Sequence, residues 1–207
     1  TLVALAYALR YPTEPRSVVL VSGYYYPSAR LDVPLLSAPA IPVIGDLMRH
    51  TVSPWIGRAM WPRLLHRMFG PEPISPKAYR LPPWMALRPS QLRASAAESA
   101  LMIPAAIALM RRYADVKVPV HIVAGGGDQF VSTASQSQRL HRRIAGSTYS
   151  ETPGAGHMMH HIAPEEVLAV IDQAAGPHPM YTSVMEDPRA AASELPTGGD
   201  QYGRLKE

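Results

Sequence analysis

Two short runs limit the architecture of this chain more than any other feature. SVVLVS at 17–22 and VPVHIVA at 118–124 are rich in β-branched residues, and neither alternates cleanly between apolar and polar positions. A strand with one wet face reads as alternation, so these runs predict strands covered on both faces, as in a parallel sheet. Residues 147–152 are a third, shorter strand candidate. Helical patterns surround the strands. Leu2, Leu5, Ala6 and Leu9 fall at helical spacing before Pro12 stops the run. Ser132 is placed to cap a helix reaching about Ile144. Residues 164–175 open with Pro164, Glu165 and Glu166 and carry Val167, Val170, Ile171 and Ala174 on one stripe. Strands alternating with helices predict an α/β fold, a parallel sheet flanked by helices.

The chain has 22 prolines, and eleven of them lie within residues 31–89, which show amphipathic fragments but no strand pattern. We read residues 31–113 as a mostly helical insertion, leaving residues 1–30 and 114–175 as the sheet-bearing core. Ser90 is a candidate N-cap for a helix over 90–113, and Pro104 is expected to kink or divide it. Met48, Trp55, Met60, Trp61, Met68, Phe69, Trp84 and Met85 are expected mainly to pack the insertion onto the core, with an apolar pocket as the second use. Residues 176–207 have few large apolar side chains and are expected to be a disordered tail.

Several function classes recede on composition. The formal charge of +4 comes from scattered Lys and Arg, without the basic stripe or motif of a nucleic-acid binder. Between residues 31 and 93 eight Lys and Arg face three acids; we read this as a solvated face, with an anion preference as the alternative. Cysteine is absent, which removes disulfides, thiolate metal sites and a Cys nucleophile from these residues. The longest apolar stretch, 99–110, is too short to span a bilayer. Residues 1–10 carry no charged leader before their apolar run and no cleavage site, so they do not read as a signal peptide, and a soluble, cytoplasmic protein is the expectation.

In an open parallel sheet, chemistry gathers at the carboxyl ends of the strands. Asp128 follows Gly125-Gly126-Gly127 at one such end, and His157 follows Pro153-Gly154-Ala155-Gly156 at another, 29 residues on. An aspartate there can orient a histidine and stabilise its imidazolium; it can equally serve as an Asx turn or helix cap. A glycine-flanked histidine can act as a general base, or simply be a loop residue. Strand–GGGD–helix followed by strand–PGAGH–helix is more specific than either half. Asp32 and Asp46 are weaker acid candidates, the first well past its strand and the second inside the insertion. His157, His160 and His161 lack the spacing of a zinc site, and the triglycine lacks a phosphate loop's G-K-[ST] ending. No cofactor or metal is expected. Tyr24 and Met158, at strand ends, are the candidate substrate-binding side chains, for a small and mainly apolar substrate.

This pairing resembles the second half of the α/β-hydrolase superfamily, whose triad runs nucleophile, acid, histidine along the chain. The resemblance rests on VPVHIVAGGGDQFV and PGAGHMMHHIAPEEV, covers about residues 1–175, and implies that Asp128 and His157 are the triad acid and base. TLVALAYALRYP resembles the helix after the family's nucleophile elbow, G-x-S-x-G, which would put the serine about three residues before Thr1. SVVLVSGYYYP resembles the next strand, and the proline-rich insertion resembles the family's helical cap. No G-x-S-x-G occurs within the 207 residues. The implied activity is hydrolysis of an ester, amide or similar bond. The alternatives are a haloalkane dehalogenase- or epoxide hydrolase-like enzyme with an Asp nucleophile, or a non-catalytic binding protein of the same fold. The 207 residues alone are expected to be inactive and poorly soluble, with a buried strand left as an edge.

Overall fold

The computed structural model describes residues 1–28, 37–80 and 82–176. Three parallel strands, β1 (Val18–Val21), β2 (Val120–Gly125) and β3 (Thr148–Thr152), form a sheet in the order β1-β2-β3. Val18 pairs with Val120 and Leu20 with Ile122; His121 pairs with Thr148 and Gly125 with Thr152. Helix α1 (Leu2–Arg10) precedes β1 and buries Leu5 and Ala8. Between β1 and β2 lie α2 (Ile44–His50), α3 (Ser53–Phe69), α4 (Pro76–Tyr79), α5 (Pro83–Ala86) and α6 (Pro89–Met110), with 3₁₀ turns at Ala38–Ala40 and Tyr113–Asp115. A π-helical turn, Ala134–Gln138, runs into α7 (Arg139–Arg143) after β2. Helices α8 (Met159–Ile162) and α9 (Pro164–Ala175) follow β3. The α/β architecture with helical crossovers is the one the runs at 17–22 and 118–124 predict. The chain divides after Ala174, and the tail expected over 176–207 lies, apart from Gly176, outside the described residues.

Strand alternation sorts the core into two faces. Val18 and Leu20 of β1, with Val120 and Ile122 of β2, face Leu5 and Ala8 of α1, Leu140 of α7, and Tyr25, Tyr26 and Tyr113. On the opposite face Val123 meets Ala155, Met159 and Val167, with Val21 and Val170 beside them. In α9 the buried stripe is narrower than expected, since Ile171 is 43% exposed. Tyr113, fully buried, donates its hydroxyl to the Tyr25 carbonyl at 2.7 Å and so ties the end of the insertion to the chain leaving β1. Tyr113→Phe strands that carbonyl and is expected to cost about 1–2 kcal/mol. An unchanged denaturation midpoint in the variant would show that the bond contributes nothing.

Three local expectations need correction. Helix α6 starts at Pro89 with Arg88 as its N-cap residue, not at a Ser90 cap, because proline is already suited to the first helical position. Pro104 does not divide α6, which runs unbroken to Met110; the missing N–H forfeits one ladder bond that the flanking turns survive. Half of the singled-out insertion aromatics and methionines are turned to solvent rather than packed onto the core. Trp55 is 75% exposed, Trp84 58%, Met60 44% and Met85 43%. Helix α3 spends its inward face on Ser53, Leu65 and Phe69, which turns Trp55 and Met60 outward.

Candidate active site

The site is built where β2 and β3 end. Beyond Gly125 the chain turns through Gly126 and Gly127 to Asp128, whose side chain is 2% exposed. One carboxylate oxygen, Oδ1, accepts the backbone N–H groups of Phe130 at 2.7 Å and Val131 at 2.8 Å. The other, Oδ2, lies 2.8 Å from Nδ1 of His157, whose side chain is 19% exposed. Asp128 therefore holds the turn with one oxygen and hydrogen-bonds His157 with the other. A carboxylate can only accept, so Nδ1 carries the proton and Nε2 of the neutral ring keeps its lone pair. The Phe130 ring lies against the imidazole, with centroids 5.0 Å apart at 45°.

Glycine makes this approach sterically feasible. A Cβ on Gly125 would stand 2.3 Å from the carbonyl oxygens of both Ala155 and Gly156, and one on Gly156 would stand 2.3 Å from that of Phe69. Backbone bonds close the seam: Gly126 donates to Thr152 and Gly127 to Ala155, each at 2.9 Å. The loops after β2 and β3 thus touch main chain to main chain, and that contact sets the separation of Asp128 and His157. The insertion joins in at Met68, whose carbonyl accepts the N–H of Met158 at 3.2 Å.

The other expected residues are placed differently. Met158 packs with Leu65, Phe69 and Ile74 of the insertion, directly beside His157 in sequence. Tyr24 is 8% exposed at the end of β1; its hydroxyl accepts the Ser28 N–H at 3.0 Å and its carbonyl accepts the Thr1 hydroxyl at 3.3 Å. The N-terminus of α1 therefore sits at the carboxyl end of β1. Asp46 is ion-paired with Arg49 in α2 and is not a partner of His157. Asp32 lies outside the described residues. The rings of His160 and His161 lie 4.6 Å apart, tilted by 50°, and the pKa of His160 is lowered by burial, then by the neighbouring His161 and His157. Among the described residues no group of three or more His, Asp or Glu side chains is arranged to hold a metal ion.

Two supporting residues escaped the sequence reading. Phe130 has no pattern that distinguishes it from any loop aromatic. Gln136, 3% exposed in the π-helical turn, accepts the N–H groups of Tyr25 and Tyr26, each at 2.7 Å, and donates to the Tyr26 carbonyl at 2.9 Å. It clamps the loop after β1, and only the coordinates reveal the pairing.

The chain belongs to the Alpha/beta hydrolase family, whose model matches residues 1–170. Among solved structures, it is similar to an alpha/beta hydrolase fold protein from Burkholderia ambifaria at 20% identity, with a TM-score of 0.65, covering 82% of this chain and 61% of that one. A hydrolase from Pseudomonas aeruginosa aligns at 18% identity and a TM-score of 0.64, covering 85% and 61%. The enol-lactonase from Burkholderia xenovorans aligns at 21% identity and a TM-score of 0.53, covering 84% and 62%. This chain thus spans about three fifths of the length of these structures. Among curated proteins none matches.

Proposed function

We propose that the intact protein is a hydrolase that cleaves an ester, amide or related acyl bond of a small, mainly apolar substrate. Asp128 and His157 serve as the acid and base of a triad whose serine precedes Thr1. The observation that carries this reading is the 2.8 Å hydrogen bond between Nδ1 of His157 and a carboxylate already held by two backbone amides. It leaves Nε2 free to take the serine proton as the hydroxyl attacks the carbonyl carbon. The imidazolium then protonates the leaving group, and the neutral ring activates water to break the acyl-enzyme. Asp128 holds the tautomer and offsets the charge on the ring throughout. The N-terminus of α1 at the same rim supports a nucleophile supplied from just before it, in the order the family uses. The insertion, residues 31–113, acts as a cap over the site, with Met158 and Tyr24 on its substrate side. The enol-lactonase among the structural neighbours is in keeping with acyl–oxygen chemistry.

A fluorophosphonate probe tests the assignment. The intact protein is expected to gain one covalent adduct, mapped by mass spectrometry to a serine on the N-terminal side of Thr1. His157→Ala should remove the labelling. If the protein neither labels nor turns over p-nitrophenyl acetate, the serine mechanism fails, and an aspartate nucleophile or a binding role takes its place.

A further inference from the structure

We propose that a groove on the face of α7, separate from the Asp128–His157 pair, is a binding site for a small multiply charged phosphate anion of diphosphate type. The groove has a volume of about 360 Å³ and is lined by Tyr26, Met110, Arg111, Arg139, Arg142 and Arg143. Four arginines line it, and its lining contains no carboxylate. They come from separate parts of the fold: Arg111 from the end of α6, the other three from α7. Among the described residues, Arg111, Arg142 and Arg143 make no ion pair.

Helix ends explain part of this arrangement and not the whole. Arg142 and Arg143 lie in the last turn of α7 and Arg111 caps α6, where cations are favoured by the carbonyl ends. Arg139 instead opens α7, and its guanidinium is held 3.9 Å over the ring of Tyr26. Burial raises the pKa of the Tyr26 hydroxyl, and the positive fields of Arg139, Arg143 and Arg142, which share the groove with it, oppose that rise. Like charges gathered in one concavity repel, and the repulsion is relieved by an anion between them. One carboxylate would neutralise one of the four. A diphosphate matches the charge far better, and its oxygens fit the planar two-point donors of arginine. Met110 and the Tyr26 ring give the groove an apolar wall suited to an organic group carried by the anion.

Inorganic pyrophosphate is the probe, titrated into the intact protein by calorimetry at fixed ionic strength. Saturable binding is expected. The double variant R142Q/R143Q, at two exposed positions, should weaken it at least tenfold, a modest figure for losing two charge-assisted contacts. Arg58→Gln, on an exposed face of α3, should leave binding unchanged, and neither variant should shift the thermal midpoint or the esterase rate. The proposal is overturned if no saturable binding occurs, if R142Q/R143Q binds like the parent, or if Arg58→Gln weakens binding equally. Vesicles of phosphatidylglycerol form a second arm. Arginine-dependent binding to these vesicles without binding of free pyrophosphate would assign the groove to a lipid headgroup and overturn the small-anion site.

Discussion

His157→Ala in the intact protein is expected to lower turnover of p-nitrophenyl acetate by at least about four orders of magnitude, and to lower the thermal midpoint by a few degrees as well. The imidazole contributes one nitrogen to the chemistry and one hydrogen bond to Asp128, and its removal leaves a carboxylate that is only 2% exposed without that partner. Asp128→Asn tests the orienting role separately. The amide oxygen can keep the Phe130 and Val131 N–H groups, while the amide nitrogen then faces Nδ1 and favours the opposite tautomer. The loss should be of similar size, about 10⁴-fold, with KM little affected. Wild-type rates in either variant would detach the pair from catalysis, whatever the nucleophile.

Gln136→Leu should produce the largest loss of stability from a single polar side chain. It deprives two buried N–H groups and one carbonyl of their partner at once, while keeping the side-chain volume. At about 1–3 kcal/mol for each stranded group, the sum is at least ~3 kcal/mol, or about 6–12 °C in Tm for a chain of this size. Differential scanning calorimetry on the intact protein reads the shift directly. A midpoint within about 1 °C of the parent would mean that water or a rearranged loop replaces all three bonds.

Asp128 and His157 were legible in the sequence because each stands on a short glycine loop after a strand, and parallel topology brings such loops to one rim. The three strands were legible because apolar β-branched runs bounded by glycine and proline have few other uses. The outward turn of Trp55 and Trp84 was not legible, since a tryptophan in a proline-broken helix looks alike in sequence whether it is covered or not. Nor was Gln136, whose partners lie some 110 positions away in the chain. The start of α6 was misread because Pro89 and Ser90 are both helix-opening residues, and the structure follows the proline. At Gly125, Gly127 and Gly156 the need for glycine is steric, since two backbones pass where no side chain would fit, whereas Gly154 takes a positive φ of 76° in open space.

The hydrogen bond between Met158 and Met68 has a mechanical consequence. Around residues 65–74 the insertion is fastened to the segment that carries His157, through that bond, the Phe69 carbonyl against Gly156, and the apolar cluster of Leu65, Phe69 and Ile74 with Met158. On the function proposed above, a ligand that prised this attachment loose would also shift His157 relative to Asp128, so opening of the insertion and alignment of the imidazole would be coupled.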